Sequence, residues 1–215
     1  TAWEYGYSID VLGRLVEVIS GQTFDVFLKE RLFDPLGMND TAFHVPPEKH
    51  DRLVTLYSPI AEGGVRVATS RAQDSYKEPA LFLSGGGGLV SSTMDYARFC
   101  QMLLNEGNLD GAQILGKKAV ELMRTDHLGD IPKKGYLIAR DGIGFGLTFA
   151  ITKDPGQSGA IDSKGVYRWG GAAGTRFWID PEEDMFCVFM VNILPYGSLN
   201  YGDEFKLLAY QAIVE

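Results

Sequence analysis

The chain has 215 residues, 45% of them apolar and 22% charged, with a formal net charge of -8. A chain of this length buries roughly 70% of its unfolded surface, enough for one domain or two small ones. The acidic balance argues against nucleic acid and anionic membrane surfaces as partners, because no basic patch exists to displace condensed counterions. The longest apolar runs, such as Phe186 to Val191, fall far short of the ~20 residues that span a bilayer, so no membrane span is expected.

Helical spacing appears first in Val11, Leu12, Leu15, Val16, Val18 and Ile19, which predicts a helix from Asp10 to Ser20. Asp10 is the expected N-cap and Gly21 the expected stop. A second helix is expected from Thr23, with Phe24, Phe27 and Leu28 on one face, ending before Pro35. From Asn39 to Gly64, Pro46, Pro47, Pro59 and the Gly63-Gly64 pair indicate loop with short extended pieces. Gly85 to Gly88 lead into a third helix, where Ser92 with Asp95 three positions on resembles a capping box. Its apolar side is Tyr96, Phe99, Cys100, Met102, Leu103 and Leu104, with Gly107 beyond the end. A turn-rich link over 105–116 and a short helix over 117–123 follow.

Beyond about residue 140 the pattern changes. Gly144 to Thr152, Gly165 to Trp169, Gly174 to Ile179 and Met185 to Asn192 are rich in β-branched and aromatic residues and bounded by Gly, Pro or Asp, which predicts strands. Asp180 to Asp184 reads as a hairpin turn, and Tyr201 to Val214 as an amphipathic closing helix. The expected fold class is therefore α/β in the α+β sense. A mainly helical domain spans 1–140, and an antiparallel sheet with a C-terminal helix spans 141–215.

Several constellations carry little. Cys100 and Cys187 lie in apolar runs and are expected as unpaired thiols; no metal spacing is present, and neither metal nor other cofactor is expected. Gly85-Gly86-Gly87-Gly88 lacks the Gly-Lys-Ser/Thr ending of a phosphate loop. His44, His50 and His127 suggest a Ser-His-Asp triad only in name. The one near-match to a nucleophile elbow, Gly156-Gln157-Ser158-Gly159-Ala160, fails at its last position. Thr1 to Tyr5 has neither the basic start nor the apolar core of a signal peptide, and the sequence assigns no compartment.

Three stretches belong together: Trp3-Glu4-Tyr5-Gly6-Tyr7-Ser8-Ile9-Asp10-Val11-Leu12-Gly13, Gly85 to Ser92, and Trp169-Gly170-Gly171-Ala172-Ala173-Gly174-Thr175. In this order they resemble the downstream two-thirds of the serine β-lactamase-like superfamily, which includes class C β-lactamases, penicillin-recognising DD-peptidases and family VIII esterases. The resemblance implies a β-lactamase/transpeptidase-like fold, a site between helical and sheet parts, and acyl transfer through a covalent acyl-serine followed by hydrolysis. It also implies a Ser-x-x-Lys nucleophile motif upstream of the tyrosine motif. None of the eleven serines here has lysine three positions on. The nucleophile is thus expected in an N-terminal segment absent from this sequence, and the chain alone is expected to be inactive.

The frame places Tyr5 at the motif position, as catalytic base or relay for the serine proton. A free phenol has a pKa near 10 and is only about one part in a thousand ionised at neutral pH. A neighbouring lysine ammonium makes it useful by favouring the phenolate. Gly6 replaces the usual Ser, and Tyr7 stands where lactamases carry asparagine, a position lining the substrate pocket. Trp169-Gly170-Gly171 falls where the superfamily carries Lys-Thr-Gly, His-x-Gly or Trp-Gly-Gly on the strand facing the nucleophile. There the glycines let an acyl group lie against the backbone, and the Ala172 N–H supplies half of an oxyanion hole. An indole at 169 offers one N–H and no charge for the carboxylate of a β-lactam, which favours neutral esters. Arg168 or Arg176 could compensate in part, although neighbours on a strand alternate faces. The small acyl substrate is thus an ester or a β-lactam. The rival reading is a non-catalytic binding or scaffold domain, or pseudoenzyme, of the same fold.

Overall fold

The computed structural model describes residues 2–68, 74–133, 138–197 and 199–214. The first helix, α1 (Ser8–Ser20), starts two residues earlier than the periodicity predicts and stops at Gly21, which takes the left-handed conformation at φ 72° and donates to the Glu17 carbonyl. The N-cap residue is Tyr7, with no side-chain cap, so the expected capping role of Asp10 is corrected: its carboxylate lies in the first turn and is engaged elsewhere. The outward stripe of α1, Val11, Leu12, Leu15, Val18 and Ile19, is exposed.

The second helical run does not end before Pro35. It comprises α2 (Phe24–Leu28), a π-helical turn over Lys29–Phe33 and α3 (Asp34–Leu36). A proline ring clashes with the carbonyl one regular α-turn back, and the wider turn just before Pro35 lets the chain pass. Gly37, at φ 65°, ends the run. The proline-rich stretch that follows forms a 3₁₀ turn over Pro47–Arg52 and a small antiparallel pair, β1 (Tyr57–Pro59) with β2 (Val65–Val67).

Helix α4 (Thr93–Leu104) begins as its cap predicts, the Ser92 hydroxyl accepting from the Asp95 N–H at 3.1 Å. The reciprocal half of the capping box is absent. The buried Asp95 carboxylate instead accepts from the Asp40 N–H at 2.6 Å and the Thr41 hydroxyl at 2.9 Å, pinning the loop after α3 to this helix. The two-residue strands β3 (Asn108–Leu109) and β4 (Ala112–Gln113) form a tight hairpin, and α5 (Lys117–Met123) follows.

The third sheet is antiparallel, with strands in sequence order: β5 (Ile143–Phe145), β6 (Ala150–Thr152), β7 (Tyr167–Gly170), β8 (Arg176–Asp180) and β9 (Met185–Phe189). The predicted strand over Gly144 to Thr152 is two strands. The chain reverses between them, with the Gly146 N–H donating to the Phe149 carbonyl at 2.8 Å. A short α6 (Pro155–Ser158) lies between β6 and β7, and α7 (Tyr201–Gln211) closes the chain. Each face of the sheet has its own partner. Phe177 and Ile179 join Cys100, Met102 and Leu103 of α4 in the main core, whereas Val166 and Trp178 pack with Tyr210 of α7. Cys100 is buried, Cys187 half-buried, and both are free thiols.

Candidate active site

The first and last of the three sequence motifs meet on the α4 side of the sheet. Trp3 enters beside residues 132–133, its N–H donating to the Pro132 carbonyl at 2.8 Å. Its ring centroid is 5.0 Å from that of Phe145 on β5 and 6.4 Å from that of Tyr5. The Tyr5 ring lies 5.7 Å from Trp169 on β7, and Trp169 packs edge-on against Phe145 at 5.4 Å. Offset and tilted rings at these separations are mutually attractive beyond the apolar area they bury. The cluster holds Tyr5 beside Trp169 while leaving the tyrosine 54% exposed, so its phenol is reachable from solvent. Sequence reasoning missed Trp3 and Phe145 as supports. Trp3 stood in the quoted motif, but Phe145 is 140 residues from Tyr5 and carried no local signal. Tyr7, 84% exposed, stands at the start of α1 outside this cluster.

The glycines after Trp169 make a tight reversal into β8. The Gly171 N–H donates to the Thr175 carbonyl at 2.8 Å and the Gly174 N–H to the Gly171 carbonyl at 3.0 Å. A side chain at Gly171 would collide with the Thr175 hydroxyl, and one at Gly174, whose φ is 94°, with the Tyr196 ring. Two of these glycines therefore have a purely internal reason to be glycine. Ala172 sits at the exposed tip of this turn. Its neighbours are tied down, Gly171 to Thr175 and the Ala173 carbonyl to the Ile193 N–H at 3.0 Å. Among the described residues its own N–H donates to no protein acceptor. A fixed, unengaged amide within three residues of Trp169 is the kind of donor that stabilises developing negative charge.

Neither arginine beside the motif serves this face. Arg168 donates to the Thr152 hydroxyl at 2.7 Å and lies 3.7 Å from the wholly buried Asp162 carboxylate. Lys206 of α7 also pairs with Asp162. Arg176 pairs with Asp203 of α7 and stacks over Tyr196. Both side chains follow strand alternation to the α7 side, which corrects the suggestion that either compensates for the uncharged Trp169. Burial pushes the pKa of Arg168 and of Lys206 down, with Asp162 opposing the shift in each case.

The remaining candidates separate from the site. His50 and His127 each bond a backbone carbonyl, of Val45 and Leu122 respectively, at 2.9 Å. The Ser158 hydroxyl donates to Pro155 within its own turn. Among the described residues no group of three His, Cys, Asp or Glu side chains is placed to hold a metal ion, and no helix is long and apolar enough to cross a membrane.

The family model described as Beta-lactamase matches residues 1–211. The chain belongs to the β-lactamase family. Protein Rv1367c of Mycobacterium tuberculosis is 34% identical over 202 residues, covering 91% of this chain and 50% of its own length. The lovastatin esterase of Penicillium rubens is 30% identical over 203 residues, covering 86% and 49%. Among solved structures, EstCE1, a hydrolase with promiscuous acyltransferase activity, superposes with a TM-score of 0.78 at 25% identity, over 98% of this chain and 56% of that one. The chain thus spans about half the length of the curated relatives it matches. Its mixture of helices with an antiparallel sheet is β-lactamase/transpeptidase-like, and the proteins it resembles include an esterase and a hydrolase with acyltransferase activity.

Proposed function

We propose that these residues form the tyrosine- and sheet-bearing part of an esterase-like serine hydrolase, whose Ser-x-x-Lys segment is supplied from outside the 215 residues. The observation that carries this reading is the packing of Tyr5 against Trp169 at 5.7 Å, which joins motifs 164 residues apart on one side of the sheet. In the proposed reaction the serine hydroxyl attacks the ester carbonyl carbon while Tyr5, as phenolate or sharing a proton with the lysine, takes the hydroxyl proton. The carbonyl π electrons move to oxygen, where the Ala172 N–H and the serine's own N–H hold the oxyanion. Collapse expels the alcohol, protonated by the same relay, and water then cleaves the acyl-serine by the reverse proton path.

Tyr7, Trp169, Gly170 and Gly171 line the substrate side in this reading, and neither Arg168 nor Arg176 is on that face to hold a carboxylate. A division near residue 140 into helical and sheet lobes belongs to the same proposal. The exposed apolar stripe of α1 offers a face for a companion segment to cover. That one relative is an esterase and one structural neighbour a hydrolase favours the enzyme over the scaffold reading.

A fluorophosphonate probe tests the proposal. The parent protein with its upstream segment should label stoichiometrically at one serine, and the 215-residue chain alone should not label. Labelling of the isolated chain, or none of the parent, would overturn it.

A further inference from the structure

The glycine-rich segment Gly85–Gly88 lies directly against the beginning of α1. The Asp10 carboxylate, turned away from the capping role, accepts from the Ser84 hydroxyl at 2.5 Å and from the Gly86 N–H at 3.3 Å. The Ser84 oxygen in turn accepts from the Gly87 N–H at 3.1 Å. A Cβ on Gly85 would lie 2.5 Å from the Ile9 carbonyl oxygen, and one on Gly86 3.1 Å from the Asp10 carboxylate. The glycines thus allow two backbones to touch where any side chain would hold them apart. Helix α1 has no side-chain cap of its own, so its first turn is fixed from outside by this contact.

The abutment is itself anchored. Gly88 is packed against the Phe43 ring, which lies tilted against Phe24 with centroids 5.7 Å apart, and Phe24 covers Gly13 of α1. The Tyr76 hydroxyl donates to the Gly87 carbonyl at 3.2 Å, and Val90 exchanges backbone hydrogen bonds with Ala42. From Asp10 the link to the motif is short: the Val11 N–H donates to the Tyr7 carbonyl at 3.1 Å, and Tyr5 is two residues further back.

We propose that Asp10 and Ser84 are positioning residues that set where Tyr5 stands relative to Trp169 and the reacting serine. The inference rests on the serine hydrolase reading given above. Neither residue touches substrate in this scheme. A proton-transfer group must be held to within roughly 0.5 Å of its productive position, and a 1 Å misplacement costs on the order of 100-fold.

The test uses the parent enzyme with a p-nitrophenyl ester. Asp10→Ala and Ser84→Ala should each lower kcat by about 10- to 100-fold with KM nearly unchanged. Asp10→Asn, which keeps an acceptor oxygen for Ser84 and Gly86, should retain most of the rate. The double variant Asp10→Ala/Ser84→Ala should be no worse than the poorer single, because both delete one shared contact. In a Tyr5→Phe background the Asp10→Ala loss should vanish. If Asp10→Ala folds poorly, Ser84→Ala, which removes one oxygen, carries the same comparison. An equal loss with and without the Tyr5 hydroxyl, or a wild-type kcat in Ser84→Ala, overturns the positioning role while leaving Tyr5 as relay. A wild-type kcat in Tyr5→Phe overturns the reading of the site itself.

Discussion

The two faces of the five-stranded sheet are built from neighbouring residues of the same strands yet differ in kind. Toward α4, β7 presents Trp169 to Phe145 and Tyr5, which both meet Trp3, a cluster of four uncharged rings. Toward α7, the adjacent Arg168 enters a buried set with Asp162, Lys206 and Thr152, and Tyr210 donates to the buried Asp180 carboxylate at 2.8 Å. Desolvation together with that bond drives the Tyr210 phenol far above its ordinary pKa, so it remains protonated. Period-2 alternation is the cause: one residue along the strand reverses the face. The lesson is that charge close to a site in sequence can be remote from it in chemistry. Arg168 and Arg176 stand close to Trp-Gly-Gly in sequence, yet Arg176 pairs with Asp203 of α7 and Arg168 joins the Asp162 set that holds Lys206.

That division predicts separable effects. The largest is expected at Tyr5. Tyr5→Phe keeps the ring packed at a tilt against Trp3 and Trp169 and removes only the oxygen, so thermal stability should hold while kcat of the parent falls by about 10²–10⁴-fold. Tyr7→Phe should lose little; if it suffers that loss and Tyr5→Phe does not, the motif register is wrong by two residues.

On the other face, Asp162→Ala would leave Arg168 and Lys206 without their shared anion in a largely dry setting. Removing one partner of a buried pair typically costs several kcal/mol, here on the order of 3 because both cations retain some solvent. Urea unfolding should show a lower midpoint. The kcat of the protein that remains folded should be unchanged, and a large kcat loss at full folding would mean that the faces are coupled.

The smallest effect concerns selectivity. With an uncharged indole at 169 and both neighbouring arginines on the other face, the parent should hydrolyse short p-nitrophenyl esters far better than cephalosporins. A charge-assisted hydrogen bond contributes about 1.5–3 kcal/mol, or roughly 10- to 150-fold in kcat/KM if realised in the transition state. Trp169→Lys should recover part of that for carboxylate-bearing substrates. A wild type that already prefers the cephalosporin would contradict the esterase reading.

Much of this was written locally. The Ser92 cap, the stop at Gly21, the reversal at Asp180 to Asp184 and the strand periods are short-range consequences of side-chain chemistry, and they appear where the residues put them. The order of the tyrosine, glycine and Trp-Gly-Gly motifs was likewise enough to point to the family. What sequence could not decide were choices between partners. Asp10 has the chemistry of an N-cap, and only the arrival of Ser84, 74 positions away, draws its carboxylate elsewhere. Asp95 sits at the right spacing for a capping box, yet the Asp40 N–H and Thr41 hydroxyl claim it. Gly171 reads from sequence as room for substrate, and the structure supplies an internal neighbour, the Thr175 hydroxyl, that requires glycine there regardless. The sequence by itself determined which groups were available and on which side of each strand they stand, because spacing and alternation are local geometry. Tertiary structure alone decided which partner each polar or aromatic group takes, because those bonds form only between segments that folding brings together.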